Sequence, residues 1–164
     1  MKKIVVKNAR EVGNYVGKLK EDFILISISN PDGEPAEIPE NPHCGGILRL
    51  EFHDISKKRR GKVAFKMIHA RKIRRFVENH FDSGLLVCNC VGGISRSPAV
   101  AAALAKVYNL NADQYFSSSK EHYIPNMRVY RMLLRVYGIK VDKSEIKRLK
   151  ALFISKVREY AKLE

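Results

Sequence analysis

The chain has 164 residues, a length typical of one domain that buries a sizeable core. Apolar residues make up 45% and charged residues 29%, which excludes a mostly disordered chain, and the net charge of +14 favours anionic partners. No apolar run reaches the ~18–20 residues of a membrane span, and three cysteines do not make a disulfide framework. We therefore expect a soluble, cytoplasmic protein in which residues 1–164 form a single domain.

The first third of the chain alternates apolar runs with turn-forming segments. Residues 4–6 predict a strand and residues 9–16 a short helix. Residues 23–28 are mostly apolar and predict a buried strand. The proline- and glycine-rich stretch 31–46 predicts a loop, and residues 47–52 predict another strand.

The rest of the chain contains longer helical patterns around one apolar run. Residues 64–81 predict a helix with basic residues mostly on its outer faces, and residues 85–88 predict a central strand. Residues 97–108 predict a helix with Pro98 in its first turn, and apolar residues between 129 and 137 mark a further helix. A last helix opens with Asp142 and Glu145 at capping-box spacing. Alternating strands and helices predict an α/β fold with a central, mostly parallel sheet flanked by helices.

The segment from Leu85 to Ser97 carries the chemistry. A predicted strand delivers Cys90, the glycine-bearing loop of residues 91–95 follows, and a helix begins near Arg96. Loop amides ahead of a helix N-terminus form a nest for anions, and the helix dipole adds positive potential there. Arg96 offers two donors to phosphate oxygens, and positive surroundings favour the nucleophilic thiolate of a cysteine. These parts predict a phosphate site that contains a nucleophile.

At these residues the sequence resembles the cysteine-dependent protein tyrosine phosphatase superfamily, whose signature is His-Cys-x5-Arg-Ser/Thr. Cys90, Gly93, Arg96 and Ser97 match that signature, and the run Gly-Ile-Ser-Arg-Ser resembles the dual-specificity phosphatases most. Pro125-Asn126 also matches a dipeptide that precedes a helix in those enzymes. The resemblance covers roughly residues 85–137, with Asp54 as a detached element, and implies the cysteine phosphatase fold of the dual-specificity type.

The resemblance implies a metal-independent phosphomonoester hydrolase without a cofactor, acting on a phosphorylated protein or peptide. Cys90 would attack phosphorus to form a phosphocysteine, Arg96 would bind the phosphate, and Ser97 would hydrogen-bond the departing thiolate. The substrate-binding loop would comprise Val91, Gly92, Gly93, Ile94 and Ser95.

An aspartic acid on a loop after a strand supplies the proton in this family. Asp54 follows the predicted strand 47–52 and is our candidate; its alternative role is to cap the next segment or to pair with Lys57. Asp82 is the runner-up, but it precedes the cysteine strand and should lie at the opposite end of that strand.

One departure from the signature bears on activity. Asn89 stands where the family has the histidine that helps to organise the loop, although an asparagine can still hydrogen-bond to backbone. An alternative function is therefore a phosphate-binding module with weak or no turnover. Low-molecular-weight tyrosine phosphatases and rhodanese-like sulfurtransferases also hold a cysteine in an anion loop. The former place it after the first strand, and the latter usually lack the Arg-Ser ending.

Other residues have plainer interpretations. A buried structural Cys88 is favoured over a disulfide with Cys90, because residues i and i+2 of a strand have poor disulfide geometry. His43 and Cys44 have no second ligand pair at zinc spacing, so no metal site is expected. His69 and His80 are expected at the surface or its boundary.

The basic segment 57–75 contains ten Lys and Arg residues and no acidic residue. It is either a solvated face or a rim of the active site that attracts acidic substrates. A third function, an RNA 5′-phosphatase or nucleic-acid binder, follows from the same charge, although no RNA-binding motif accompanies it.

Overall fold

The computed structural model describes residues 1–80, 82–117 and 123–160 and places a four-stranded sheet at the centre of the fold. The strands are β1 (Lys3–Asn8), β2 (Phe23–Ser29), β3 (Cys44–Glu51) and β4 (Leu85–Cys90). The helices are α1 (Ala9–Gly17), α2 (Met67–Asn79), α3 (Arg96–Val107), α4 (Gln114–Ser117), α5 (Met127–Val136) and α6 (Lys143–Tyr160). No helix within these residues is both long and apolar enough to cross a membrane.

The strands lie in the order β1-β4-β2-β3, and all neighbours are parallel. β2 and β4 are the inner strands, and every residue of both is buried, as expected for parallel strands covered on two faces. The predicted α/β fold with a central parallel sheet is therefore confirmed.

Each face of the sheet has its own core. Phe23, Leu25, Leu85 and Val87 pack against α1, whereas Cys88, Cys90 and their neighbours on the other face belong to the larger core with α2, α3, α5 and α6. The chain therefore leaves β1 toward one face and leaves the adjacent β4 toward the other. Such a divergence opens a crevice at the carboxyl ends of the strands, where α/β sheets bind ligands.

Two predicted boundaries need correction at the edge strand. The loop predicted over residues 31–46 ends earlier, because β3 already begins at Cys44. The strand predicted over residues 47–52 ends at Glu51 in the structure. A Cβ on Gly46 would lie 3.0 Å from the His80 ring and 3.2 Å from the Phe76 ring, so the glycine allows α2 to pack closely against this strand. The predicted helix 64–81 is shorter in the structure, and Phe81 lies outside the described residues.

α6 is attached to α3 by an ion-pair network around Glu145. Its carboxylate accepts hydrogen bonds from Lys106 at 2.6 Å and from Arg148 at 2.8 Å, and Arg148 also binds Asp113. The predicted capping box is only half formed: the Glu145 N–H donates to Asp142, but the Glu145 side chain turns to these cations instead. Arg148 first, and Lys106 after it, lower the pKa of Glu145 to about 2.

We expect Glu145→Gln to destabilise the fold at neutral pH by about 1 kcal/mol, a value reduced for the partly exposed partners. Because the folded-state pKa lies below the ordinary 4.5, this contribution is present above that pH and is lost as the pH falls toward about 2. Urea denaturation should show the gap to the wild type narrowing from about pH 5 to about pH 3. Glu78→Gln, at a more exposed ion pair with Arg74, is the control. If the difference in unfolding free energy between the wild type and Glu145→Gln did not change with pH, Glu145 would not be the titrating group.

Candidate active site

In the loop between β4 and α3, three carbonyl groups accept hydrogen bonds from the surrounding backbone, whereas the amides are left free. The Val91 carbonyl accepts from Ala9, the Ile94 carbonyl from Ile124, and the Ser95 carbonyl from Asn126, at 2.8 to 3.2 Å. The N–H groups of residues 91–95 donate to no group in the part of the chain that the structure describes. Free amides ahead of the N-terminus of α3 are suited to bind an anion.

Gly93 is required by both the shape and the packing of this loop. Its φ is +66°, in the left-handed region, and an added Cβ would lie 2.9 Å from the backbone nitrogen of Asn8. Any side chain here would therefore push the loop away from the end of β1.

Cys90 ends β4 and is only 2% exposed. Its Sγ lies 3.1 Å from the Ser97 Oγ, which donates to it from the first turn of α3. The Ser97 hydroxyl is thus placed to stabilise negative charge on the sulfur. Cys88, two residues earlier, is fully buried in the apolar core, and this burial raises the pKa of its thiol. The three cysteines are free thiols.

Arg96 is a buried cation with an unsatisfied donor. Its Nη1 donates to the Phe52 carbonyl at 2.6 Å, the Asn30 Oδ1 at 2.8 Å and the Ser29 carbonyl at 3.2 Å, which join the loop to the carboxyl ends of β2 and β3. Its Nε is buried and has no partner, and Arg96 forms no ion pair with any described residue. An anionic ligand would strongly stabilise a buried guanidinium in this state.

Asp54 lies on the exposed loop after β3 and is held against the anion loop. Its Oδ1 accepts from the Ser95 Oγ at 2.9 Å and from the Asn126 Nδ2 at 2.7 Å. Asn126 also caps α5, since its Oδ1 accepts the Arg128 and Val129 N–H groups. The sequence places Asn126 before a helix but gives no sign of a function in the site; only the fold brings it against Asp54.

His53, which sequence reasoning also missed, is hydrogen-bonded to Val63 and so joins the two ends of the segment 53–63 that contains Asp54. The His53 N–H donates to the Val63 carbonyl at 2.7 Å, and the Val63 N–H donates back to Nδ1 at 2.9 Å. The Lys62 Nζ lies 3.3 Å from the His53 Nε2, and this Nε2 makes a hydrogen bond of 3.2 Å with Asp32. The pKa of Asp32 is lowered by this hydrogen bond first and then by Lys62.

Asn89 could hydrogen-bond to the backbone, but its side chain forms no such bond within the described residues. It alternates with Cys90 along β4, so its side chain lies on the α1 side of the sheet. Its Oδ1 is buried and has no partner within the described residues. Asp82, the runner-up acid, precedes β4 and thus lies at the far end of that strand from Cys90.

No protein-family model and no curated protein sequence matches the chain. Solved structures do match. The human tyrosine phosphatase-like serine/threonine/tyrosine-interacting protein aligns over 82% of this chain and 91% of its own, with 14% identity and a TM-score of 0.57. The Yvh1 phosphatase domain from Chaetomium thermophilum aligns over 82% and 89% (18% identity, TM-score 0.47), and human DUSP28 over 95% and 94% (13% identity, TM-score 0.45).

The chain therefore has the α/β fold of the human tyrosine phosphatase-like protein, the kind of fold that the resemblance at Cys90, Arg96 and Ser97 implied. Within that fold, the structure brings together Cys90, Arg96, Ser97, Asp54 and the loop of residues 91–95. It leaves Cys88 and Asp82 apart from them.

Proposed function

We propose that the protein is a metal-independent phosphomonoester hydrolase of the dual-specificity type, acting on phosphotyrosine or phosphoserine/threonine in proteins. The observation that carries the proposal is the buried guanidinium of Arg96, whose Nη1 is anchored while its Nε has no partner. Six residues before it, Cys90 begins the loop of free amides. A phosphate dianion would satisfy both the amides and the guanidinium.

In the first step, the Cys90 thiolate attacks phosphorus and an S–P bond forms as the bond to the leaving oxygen breaks. The loop amides and Arg96 stabilise the negative charge on the equatorial oxygens. Asp54 donates its proton to the leaving oxygen, which departs as an alcohol or phenol.

In the second step, Asp54, now a carboxylate, takes a proton from a water that attacks phosphorus. The S–P bond breaks, inorganic phosphate forms, and the sulfur leaves as a thiolate. The Ser97 hydroxyl, 3.1 Å from the sulfur, stabilises that leaving group. We also propose a location in the cytoplasm, where a catalytic thiol such as that of Cys90 stays reduced.

A second candidate function is a phosphate-binding module with little turnover. It is favoured by the unpartnered Oδ1 of Asn89, because no described N–H or O–H group of the loop donates to this oxygen at the position before Cys90. In that case the anion site would persist while chemistry is slow.

Hydrolysis of p-nitrophenyl phosphate in EDTA distinguishes the two. We expect turnover that vanadate inhibits, and Arg96→Lys should weaken vanadate inhibition by about 10- to 100-fold, because one ammonium group cannot bind both the carbonyls and the anion. Arg49→Lys, at an exposed arginine that also donates to a carbonyl, is the matched control. Vanadate binding without turnover would favour the binding module, and turnover that needs an added metal would overturn the proposal.

A further inference from the structure

A basic groove of about 840 Å³ runs along α5 and the turn between α5 and α6. One acidic residue, Asp142, lines it, and its carboxylate is engaged by Ser144 and by the Glu145 N–H at the start of α6. The remaining charged residues of the groove are all cationic, namely Lys57, Arg128, Arg131, Arg135 and Lys140.

Most of these cations are available to a ligand. Arg128 donates its Nε to the Phe65 carbonyl at 2.8 Å. Lys57, Arg131, Arg135 and Lys140 are exposed, and none of them forms an ion pair with the residues described. Unpaired cations gathered in a concave surface concentrate positive potential there.

The groove also contains apolar surface between the cations. Half-buried side chains contribute it: Met127, Met132, Ile139 and Val141. Flexible methionine side chains adapt to different apolar partners. The groove therefore suits a ligand that carries both negative charge and apolar groups.

The groove adjoins the site at the Asp54–Asn126 contact. Ser56 and Lys57 line it two and three residues after Asp54, and Arg128 lines it two residues after Asn126. From Arg128 to Arg135, the helix extends about 10 Å at 1.5 Å per residue. An extended peptide of about three or four residues covers that length.

We propose that this groove binds an acidic, partly apolar segment beside the phosphorylated residue of a protein substrate. The inference rests on the proposed function, because it deepens the substrate class. Single-stranded nucleic acid is less well matched, since its binding relies on aromatic stacking and no aromatic side chain lines the groove within the described residues. Charge complementarity together with the apolar floor favours an acidic peptide.

The test uses phosphotyrosine peptides in which four residues, alternating Asp or Glu with Leu, either precede or follow the phosphotyrosine. Matched peptides have Gln in place of each Asp or Glu. We expect kcat/KM to favour an acidic peptide by about 3- to 10-fold, as two or three exposed charge pairs would give. Arg131→Ala/Arg135→Ala should reduce this ratio to about one. Lys18→Ala/Lys20→Ala, which removes equal charge beside α1 on the other face, should keep it.

The proposal would be wrong if the wild type had the same kcat/KM for the acidic and the Gln peptides. It would also be wrong if both double variants lost the preference for the acidic peptide equally. A second arm measures binding of the same peptides to Cys90→Ser protein by fluorescence anisotropy, with and without the groove substitutions. This arm needs no turnover, so an inactive wild type would overturn the hydrolase and leave the groove to be decided by binding. If the groove substitutions abolish binding to a single-stranded RNA oligomer but leave binding of the acidic peptide unchanged, the groove binds RNA and the proposed peptide ligand is wrong.

Discussion

Cys90→Ser is expected to lower kcat for p-nitrophenyl phosphate by about 10⁴-fold or more. A serine hydroxyl is a poor nucleophile unless a neighbouring base removes its proton. Within the described residues, the side chain that hydrogen-bonds to Cys90 is that of Ser97, whose hydroxyl donates to the sulfur and cannot act as that base. Steady-state assay of the purified variant measures the loss.

The same variant should keep its anion site, because the loop amides and Arg96 are unchanged. Inorganic phosphate should therefore still raise the melting temperature of Cys90→Ser protein. Cys44→Ser is the control, since this half-buried cysteine lies at the start of the edge strand and should retain activity. Substantial residual turnover in Cys90→Ser would place the nucleophile elsewhere.

The central part of the site could be predicted because it is local in sequence. Cys90, the loop and Arg96 span seven residues, so a strand, two glycines and a helix start already specify an anion nest. The buried inner strands were predictable for a similar reason, since continuous apolar runs such as residues 23–28 indicate parallel strands covered on both faces.

The strand order and the edge strand needed the structure. β1 pairs with β4, some eighty residues away, and no local pattern encodes that partner. Gly45 and Gly46 indicate a loop by composition, but they are strand residues because α2 packs close to Gly46. Sequence propensity is overridden here by a tertiary contact.

The support around the site was the least predictable part. Asn30, Phe52 and Asn126 come from three separate segments, and each acts through a hydrogen bond to a residue distant in sequence. Asn126 carried a local signal, because a Pro-Asn pair before an apolar helical pattern predicts an N-cap. Its second contact, with Asp54, follows only from the packing of α5 beside the loop.

Asp54→Asn is expected to lower kcat/KM for phenyl phosphate by about 10²- to 10³-fold, the range of general acid catalysis, because kcat/KM reports the first step, in which the leaving group departs. The loss should be only about tenfold for p-nitrophenyl phosphate, because a more stable phenolate leaves without a full proton transfer. Asparagine keeps an oxygen that can accept from the Ser95 hydroxyl and the Asn126 amide, so the loop geometry should survive. Comparing kcat/KM for the two substrates measures the difference.

This dependence on the leaving group separates an acid from a residue that only supports the loop. If Asp54 only held the loop, its substitution would slow the reaction of both substrates equally. It would also weaken vanadate inhibition, because Asp54 holds Ser95, which is adjacent to the anion-binding Arg96. Asp82→Asn supplies the matched control, since Asp82 lies before β4 and Cys90 lies at its other end. An equal decrease in kcat/KM for both substrates in Asp54→Asn would reassign Asp54 to holding the loop and would require the proton for the leaving group to come from another residue.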